Sequence, residues 1–256
     1  MSKNNSKEIT NSPFIIGTHA IEEILKIAPQ RVKKIWTTSN QMEKAKESFS
    51  HPLLEAEKLS IPISLTDKNS LNSMVCTESH QSLVAKVARR PDITIDQLIE
   101  NNLDKERLLF VLLDSIYDPQ NLGAILRACE CFGVDAVIWS KNRGANITPV
   151  VSKSSAGASE IIQTVPVPNL AQATKKLLTH GFEVITAQNT PDAKDINEFT
   201  FPKRSALIMG SEGKGVQPLL QKLATHSIKI PMRGNISSLN VSQATAVMLS
   251  SWSLSS

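Results

Sequence analysis

The chain has 256 residues, of which 41% are hydrophobic and 20% charged, an ordinary globular balance at a length ample for a real core. The polar start MSKNNSKEITNS holds no apolar stretch suited to a signal peptide, and no apolar run reaches the length needed to span a bilayer, so the sequence predicts a cytoplasmic protein with no membrane partner. Residues 1–90 carry 13 Lys and Arg against 9 Asp and Glu, while residues 91–256 carry 15 against 15. The whole net charge of +4 therefore lies in the first third. A polyanion-binding arm beside a neutral body would give that pattern, and so would a solvated surface with a mild lysine bias. The three cysteines, Cys76, Cys129 and Cys131, form no CxxC pair and no zinc-spaced cluster, so no metal is expected and the thiols read as reduced and mostly buried.

Residues 13–90 read as a small α/β unit. Thr18 is placed to cap a helix in which Ile21, Ile24, Leu25 and Ala28 share one face, closed by Pro29. Val32–Thr37 reads as a strand, Asn40–Ser50 as a polar helix, and Leu53–Leu59 as a second amphipathic one. Ile61–Leu65 and Ser82–Val87 read as further strands. Nothing here matches a zinc finger, a KH loop or the RNP aromatic pattern. Residues 91–107 read as a linker in which Thr94 and Gln97 are spaced to form the capping box of a short helix.

Residues 108–256 alternate strands and helices. Leu108–Leu113 is wholly apolar, as a central parallel strand covered on both faces requires. A helix follows from Pro119 to about Phe132, then strand Val134–Trp139, helix Pro149–Ala158 and strand Ile161–Val165. Asn169 caps a helix to His180, and strand Phe182–Ala187 comes next. Strand Ala206–Met209, helix Val216–Ala224, strand Ser227–Pro231 and a helix over Val241–Trp252 complete the chain. The last helix shows Val241, Ala244, Val247, Met248 and Trp252 on its apolar side. Such alternation predicts a parallel sheet with helices on both faces and a ligand at the carboxyl ends of its strands.

Three loops at those ends are unusual. In Asp114–Arg127 (DSIYDPQNLGAILR), Asn121 and Arg127 lie six residues apart, so only tertiary structure could bring them together, and Gly123 inside a helix implies close backbone approach. The loop Met209–Val216 (MGSEGKGV) is rich in glycine but is neither a Walker A loop, for want of Ser or Thr after Lys214, nor a dinucleotide fingerprint, because Pro218 takes the place of the third glycine. In Ile230–Ser250 a strand end leads through Gly234 to Ser237, Ser238, Leu239 and Asn240 at a helix N-terminus, with Asn240 a candidate cap and Gln243 its box partner.

Taken together, NLGAILR, MGSEGKGV and IPMRGNISSLNVSQATA, in this order and spacing, resemble the three signature motifs of the SpoU/TrmH RNA ribose methyltransferases, over about residues 108–252. FIIGTHAIEEIL and SHQSLVA more loosely resemble the small ribosomal-protein-like α/β domain that precedes the catalytic body in longer members. The resemblance implies a parallel-sheet SPOUT domain with a C-terminal trefoil knot, a homodimer, S-adenosylmethionine as methyl donor, and RNA, most similarly a guanosine of large-subunit ribosomal RNA, as substrate. It further implies that Gly210, Gly215, Ile230, Met232 and Leu239 line the cofactor pocket, and that Asn121, Arg127, Glu212, Ser238 and Asn240 form the catalytic centre. An arginine, protonated below pH about 12, suits a phosphate clamp and alkoxide stabiliser better than a base. The same chemistry on transfer RNA or another ribosomal site, a non-catalytic ribosome-assembly factor and a nucleotide hydrolase are the competing readings.

Overall fold

A computed structural model describes residues 14–255; the polar N-terminal stretch read above lies outside them. The chain packs as two compact units, one comprising residues up to Pro91 with Asn146–Ile161, the other Asp92–Ala145 with the remainder from Ile162.

The first unit is built on a four-stranded sheet of order β1-β4-β2-β3, with β1 at Phe14–Ile16, β2 at Val32–Thr37, β3 at Ile63–Leu65 and β4 at Leu83–Val87. β4 runs antiparallel to both β1 and β2. Alternation divides its side chains: Ile15, Ile35, Leu83, Ala85 and Val87 pack against helices α1 (Thr18–Ile27), α2 (Ser39–Lys46) and α3 (Pro52–Lys58), while Ile16 and Val84 meet Leu71 and Val75 of α4 (Lys68–Val75) on the opposite face. Strand β1 and helix α4 escape a periodicity reading because one is three residues long and the other holds few apolar residues. Thr18 does not cap α1. Gly17 occupies that position, with φ 87° and a Cβ site 2.9 Å from the Gln81 side chain.

The second unit is a seven-stranded, wholly parallel sheet of order β7-β6-β5-β10-β8-β11-β9. Its strands are β5 (Leu108–Asp114), β6 (Ala136–Ser140), β7 (Thr164–Val167), β8 (Glu183–Ala187), β9 (Lys194–Asp195), β10 (Arg204–Gly210) and β11 (His226–Lys229). Every residue of β5 is buried. Leu108, Phe110 and Leu112 join a core that includes residues of α5 (Ile95–Glu100), α8 (Leu170–Thr179) and α9 (Pro218–Leu223). The alternate residues Leu109, Val111 and Leu113 face the other side, whose helices are α6 (Pro119–Cys131) and α10 (Val241–Leu254), packed on one another.

Five sequence expectations need correction. The short helix expected from Thr94 and Gln97 forms as α5 with that capping box, but residues 91–107 are not a free linker, since Ile95, Leu98 and Ile99 are buried in the second unit's core. The helix expected over Pro149–Ala158 ends at Ser154 (α7), because Ala156 and Gly157 turn left-handed at φ 50° and 89°. That segment also belongs to the first unit rather than to the second, in which the sequence reading placed it: α7 packs on β1, and a Cβ at Gly157 would touch Ala20 and Glu23 of α1. On α10, Val247 is exposed, while Thr245 and Leu249 are buried beside Val241, Met248 and Trp252. Of the cysteines only Cys129 is buried; Cys131, two residues on, points to solvent, as does Cys76.

Candidate active site

Strands β5 and β10 are neighbours in full register, Gly210 opposite Asp114, although β6, β7, β8 and β9 intervene in the chain and β6 and β7 lie on the far side of β5. The sheet therefore reverses its winding between them, the region where open parallel sheets bind ligands. The ends of β10, β8 and β11 open into a cleft of about 730 Å³, within the usual 300–1,000 Å³ of small-ligand pockets.

All five residues expected to line a cofactor pocket, Gly210, Gly215, Ile230, Met232 and Leu239, line this cleft. Gly210 has a steric reason: a Cβ there would stand 2.2 Å from Gly215 C, 2.3 Å from Val216 N and 2.4 Å from Gly215 O. The loop folds back on itself through a Ser211–Gly215 bridge, with Gly213 and Gly215 at φ 78° and 65°. Beside the glycine loop, Asp114 is buried and receives hydrogen bonds from Gln217 through both the backbone N–H, at 2.7 Å, and the side-chain amide. Gln217 in turn accepts a 2.6 Å bond from Arg143. Asp114 thus anchors the glycine loop where it enters α9.

Of the residues expected to be catalytic, three converge. Asn121 Nδ2 donates to Glu212 Oε1 at 3.1 Å, and Asn240 Nδ2 donates both to the same oxygen, at 2.6 Å, and to Asn121 Oδ1, at 3.0 Å. Asn240 has a second role, since its Oδ1 accepts from Ser242 N at 2.8 Å and caps α10. The Gln243 partner expected for that cap is replaced by Ser242, whose hydroxyl also donates to Oδ1. Ser238 lines the cleft with Glu212 and Asn240. Arg127 stands apart: it is exposed on α6, makes no ion pair among the described residues and does not line the cleft. Six residues turn a helix through about 600°, which places it on a different side of α6 from Asn121.

The sequence reading missed the strand-end residues Ala187, Gln188 and Asn189, which form the cleft's remaining wall. Their position after a parallel strand was the available signal. Gln188 Nε2 donates to Ser227 at 2.9 Å, but its Oε1 is buried without a partner among the described residues. A ligand donor would satisfy that atom. S-adenosylmethionine, with amino and hydroxyl donors and an apolar purine suited to Met209, Ile230, Met232 and Met248, fits this lining.

Residues 108–250 match the SpoU rRNA Methylase family, and residues 14–92 match the domain described as RNA 2'-O ribose methyltransferase substrate binding. Among curated relatives, the 23S rRNA (guanosine-2'-O-)-methyltransferase RlmB of Acinetobacter baylyi is 32% identical, covering 92% of this chain and 94% of its own length. That of Pseudomonas putida is 34% identical, covering 92% and 93%. Among solved structures, the SpoU methyltransferase AviRb from Streptomyces viridochromogenes in complex with AdoMet shares the fold at a TM-score of 0.76 and 19% identity, covering 99% of this chain and 93% of that one. Sequence and fold agree, and the chain belongs to the SpoU rRNA methylase family of S-adenosylmethionine-dependent RNA 2'-O-methyltransferases.

Proposed function

We propose that the protein methylates the ribose 2'-hydroxyl of a guanosine in 23S ribosomal RNA. The observation that carries this reading is the hydrogen-bonded triangle of Asn121, Glu212 and Asn240 at the edge of a ligand-sized cleft. S-adenosylmethionine supplies a methyl group on a sulfonium centre. Gly210, Gly215, Ile230, Met232 and Leu239 hold it, the glycines by letting backbone approach closely. Glu212 Oε1 is engaged by two amides, while Oε2 has no partner among the described residues and is open to a hydrogen bond from the attacking hydroxyl. Ser238 and Asn240 orient the ribose, and Arg127, exposed outside this chain's own cleft, clamps RNA phosphate and reaches the developing alkoxide from the partner subunit of the homodimer. Because displacement at a sulfonium needs alignment of attacking and leaving groups, positioning accounts for much of the rate.

The same reading makes residues up to Pro91 the RNA substrate-binding arm and the second unit the catalytic body, a homodimer in the cytoplasm. Val247 and Leu254, exposed apolar side chains on α10, support a subunit contact. Membership of the SpoU family supports the trefoil knot. No helix of the described residues is long and apolar enough to cross a membrane.

Unmodified 23S rRNA incubated with the protein and labelled S-adenosylmethionine should gain label on one ribose, absent in RNA from cells that carry the gene. Arg127→Ala should abolish transfer while keeping donor affinity. Donor binding without transfer to any ribosomal or transfer RNA would sink the catalytic reading, and labelling of transfer RNA alone would replace the substrate.

A further inference from the structure

On the first unit's sheet, the face opposite α1 and α3 carries two adjacent rows of side chains. Phe14, Lys86 and Lys34 lie opposite one another across β1, β4 and β2, and the next row is Ile16, Val84 and Trp36. Helix α4 covers Ile16 and Val84 of the second row through Leu71 and Val75 and leaves Trp36 half-buried at its edge. The first row is left with Lys86 exposed and Phe14 and Lys34 partly so. A register shift between Val32 and Lys34 adds the exposed Lys33 at the same edge. None of the three lysines makes an ion pair among the described residues. Two like charges directly opposed on an antiparallel ladder cost roughly 0.2–1 kcal/mol, so this row is built against its own stability unless an anion sits on it.

The aromatic side chains are arranged to match. Phe14 and Trp36 meet edge to face at 6.0 Å between ring centres, and Lys34 Nζ lies over the indole at 5.0 Å. A cation over an exposed ring contributes about 0.5–1 kcal/mol. A nucleobase stacked on an aromatic ring contributes about 1–3 kcal/mol. A polyanion that draws Lys34 off the ring and replaces it with a base gives up the smaller contribution for the larger, and the freed lysine pairs with phosphate.

We propose that Phe14, Trp36, Lys33, Lys34 and Lys86 form a platform for single-stranded RNA, in which an unpaired base stacks on Trp36 and the lysines hold the flanking phosphates. This rests on the reading of the protein as an RNA-modifying enzyme and adds where, and in what form, the substrate-binding arm takes the strand. An acidic peptide would satisfy the lysines but not the rings, and a duplex buries the base faces that stacking requires.

The test is fluorescence anisotropy of the full-length protein with a labelled oligoadenylate of about ten nucleotides, over a series of KCl concentrations. Each lysine that neutralises a phosphate on a single strand contributes about 0.7 to the slope of log affinity against log salt. The double variant Lys34→Ala/Lys86→Ala should lower that slope by about 1.4. Trp36→Ala should weaken binding about fivefold or more, with Trp36→Phe within about twofold of the parent. Trp36 also packs against the core beside α4, so the lysine pair provides the arm that leaves the core untouched. An unchanged slope in the double variant overturns the platform, and so does a duplex of equal length bound as tightly as the oligoadenylate. Methylation of 23S rRNA measured in parallel separates the two readings. A wild-type enzyme that methylates while all variants bind as it does refutes the platform alone, and a wild type that never methylates refutes the function while the oligoadenylate still decides the platform.

Discussion

Replacing Gly210 by alanine tests the geometry of the cleft directly. The new methyl would stand 2.2 Å from Gly215 C and 2.3 Å from Val216 N, both backbone atoms that no rotamer change can move. Real Cβ contacts essentially never fall below 3.0 Å, so the returning arm of the loop must retreat by about 0.8 Å or more. Overpacking of this kind costs about 1–3 kcal/mol. At roughly 2–4 °C per kcal/mol for a chain of this size, thermal unfolding should drop by about 2–12 °C. The larger effect should be functional. Gly210 and Gly215 both line the cleft, and a displacement near 1 Å can cost about a hundredfold in rate. Calorimetric titration of S-adenosylmethionine should show affinity lowered by about tenfold or more, and kcat/KM for methyl transfer should fall by about a hundredfold. Gly181→Ala is the steric control: its Cβ site has no atom within 4 Å, so only the strain of its left-handed φ of 77°, which Gly210 does not share, enters, and Gly181 does not line the cleft. Wild-type affinity and kinetics in Gly210→Ala would refute the loop geometry and the role assigned to it.

Asp114→Asn should destabilise the protein by about 1–3 kcal/mol, read as a lower denaturation midpoint in urea, because the backbone and side-chain N–H of Gln217 donate to different carboxylate oxygens and the amide turns one of these into a donor. His80 is fully buried, accepts from Ser82 N at Nδ1 and pairs with Asn72 through Nε2, so burial holds its pKa below the ordinary 6.5. Its neutral form is the native one; the stability it contributes is complete above pH 6.5 and is lost as pH falls through the lowered value. Melting temperatures between pH 7.5 and 5 should fall less steeply in His80→Gln, and identical slopes would refute the assignment. Thiol titration of the native protein should count two reactive cysteines, Cys76 and Cys131, with Cys129 reacting only after unfolding, since burial pushes its thiol far above the usual range. Three rapid equivalents in the native state would contradict its position in α6.

The catalytic body was legible because its elements are long and its burial symmetric. Leu108–Leu113 has no polar interruption, and only a strand covered on both faces reads that way. The α6 and α10 boundaries follow from Pro119 and from the Asn240 cap, local signals that need no partner. The first unit was harder to read. Phe14–Ile16 is too short for periodicity, and Phe14 and Trp36 are 22 residues apart, so their pairing on one sheet face leaves no sequence pattern. In the candidate site, each loop composition was visible, but Gln188 was not, because nothing distinguishes a strand-end glutamine until the neighbouring strands are known.

What the sequence determined by itself were the quantities that depend on neighbours along the chain: the helix caps, the glycine turn after β10, the fully apolar strand, and the identity of the residues able to hold a donor or align a hydroxyl. What only the tertiary structure decided was which of them meet. Asn121, Glu212 and Asn240 come from three separate segments, and they share hydrogen bonds because β10 inserts beside β5 and α10 packs on α6. Arg127, six residues from Asn121 in the same motif, is carried to another side of its helix by the 3.6-residue turn. Strand insertion and helix phase are set by the burial of surfaces distant in sequence, and no local pattern encodes that.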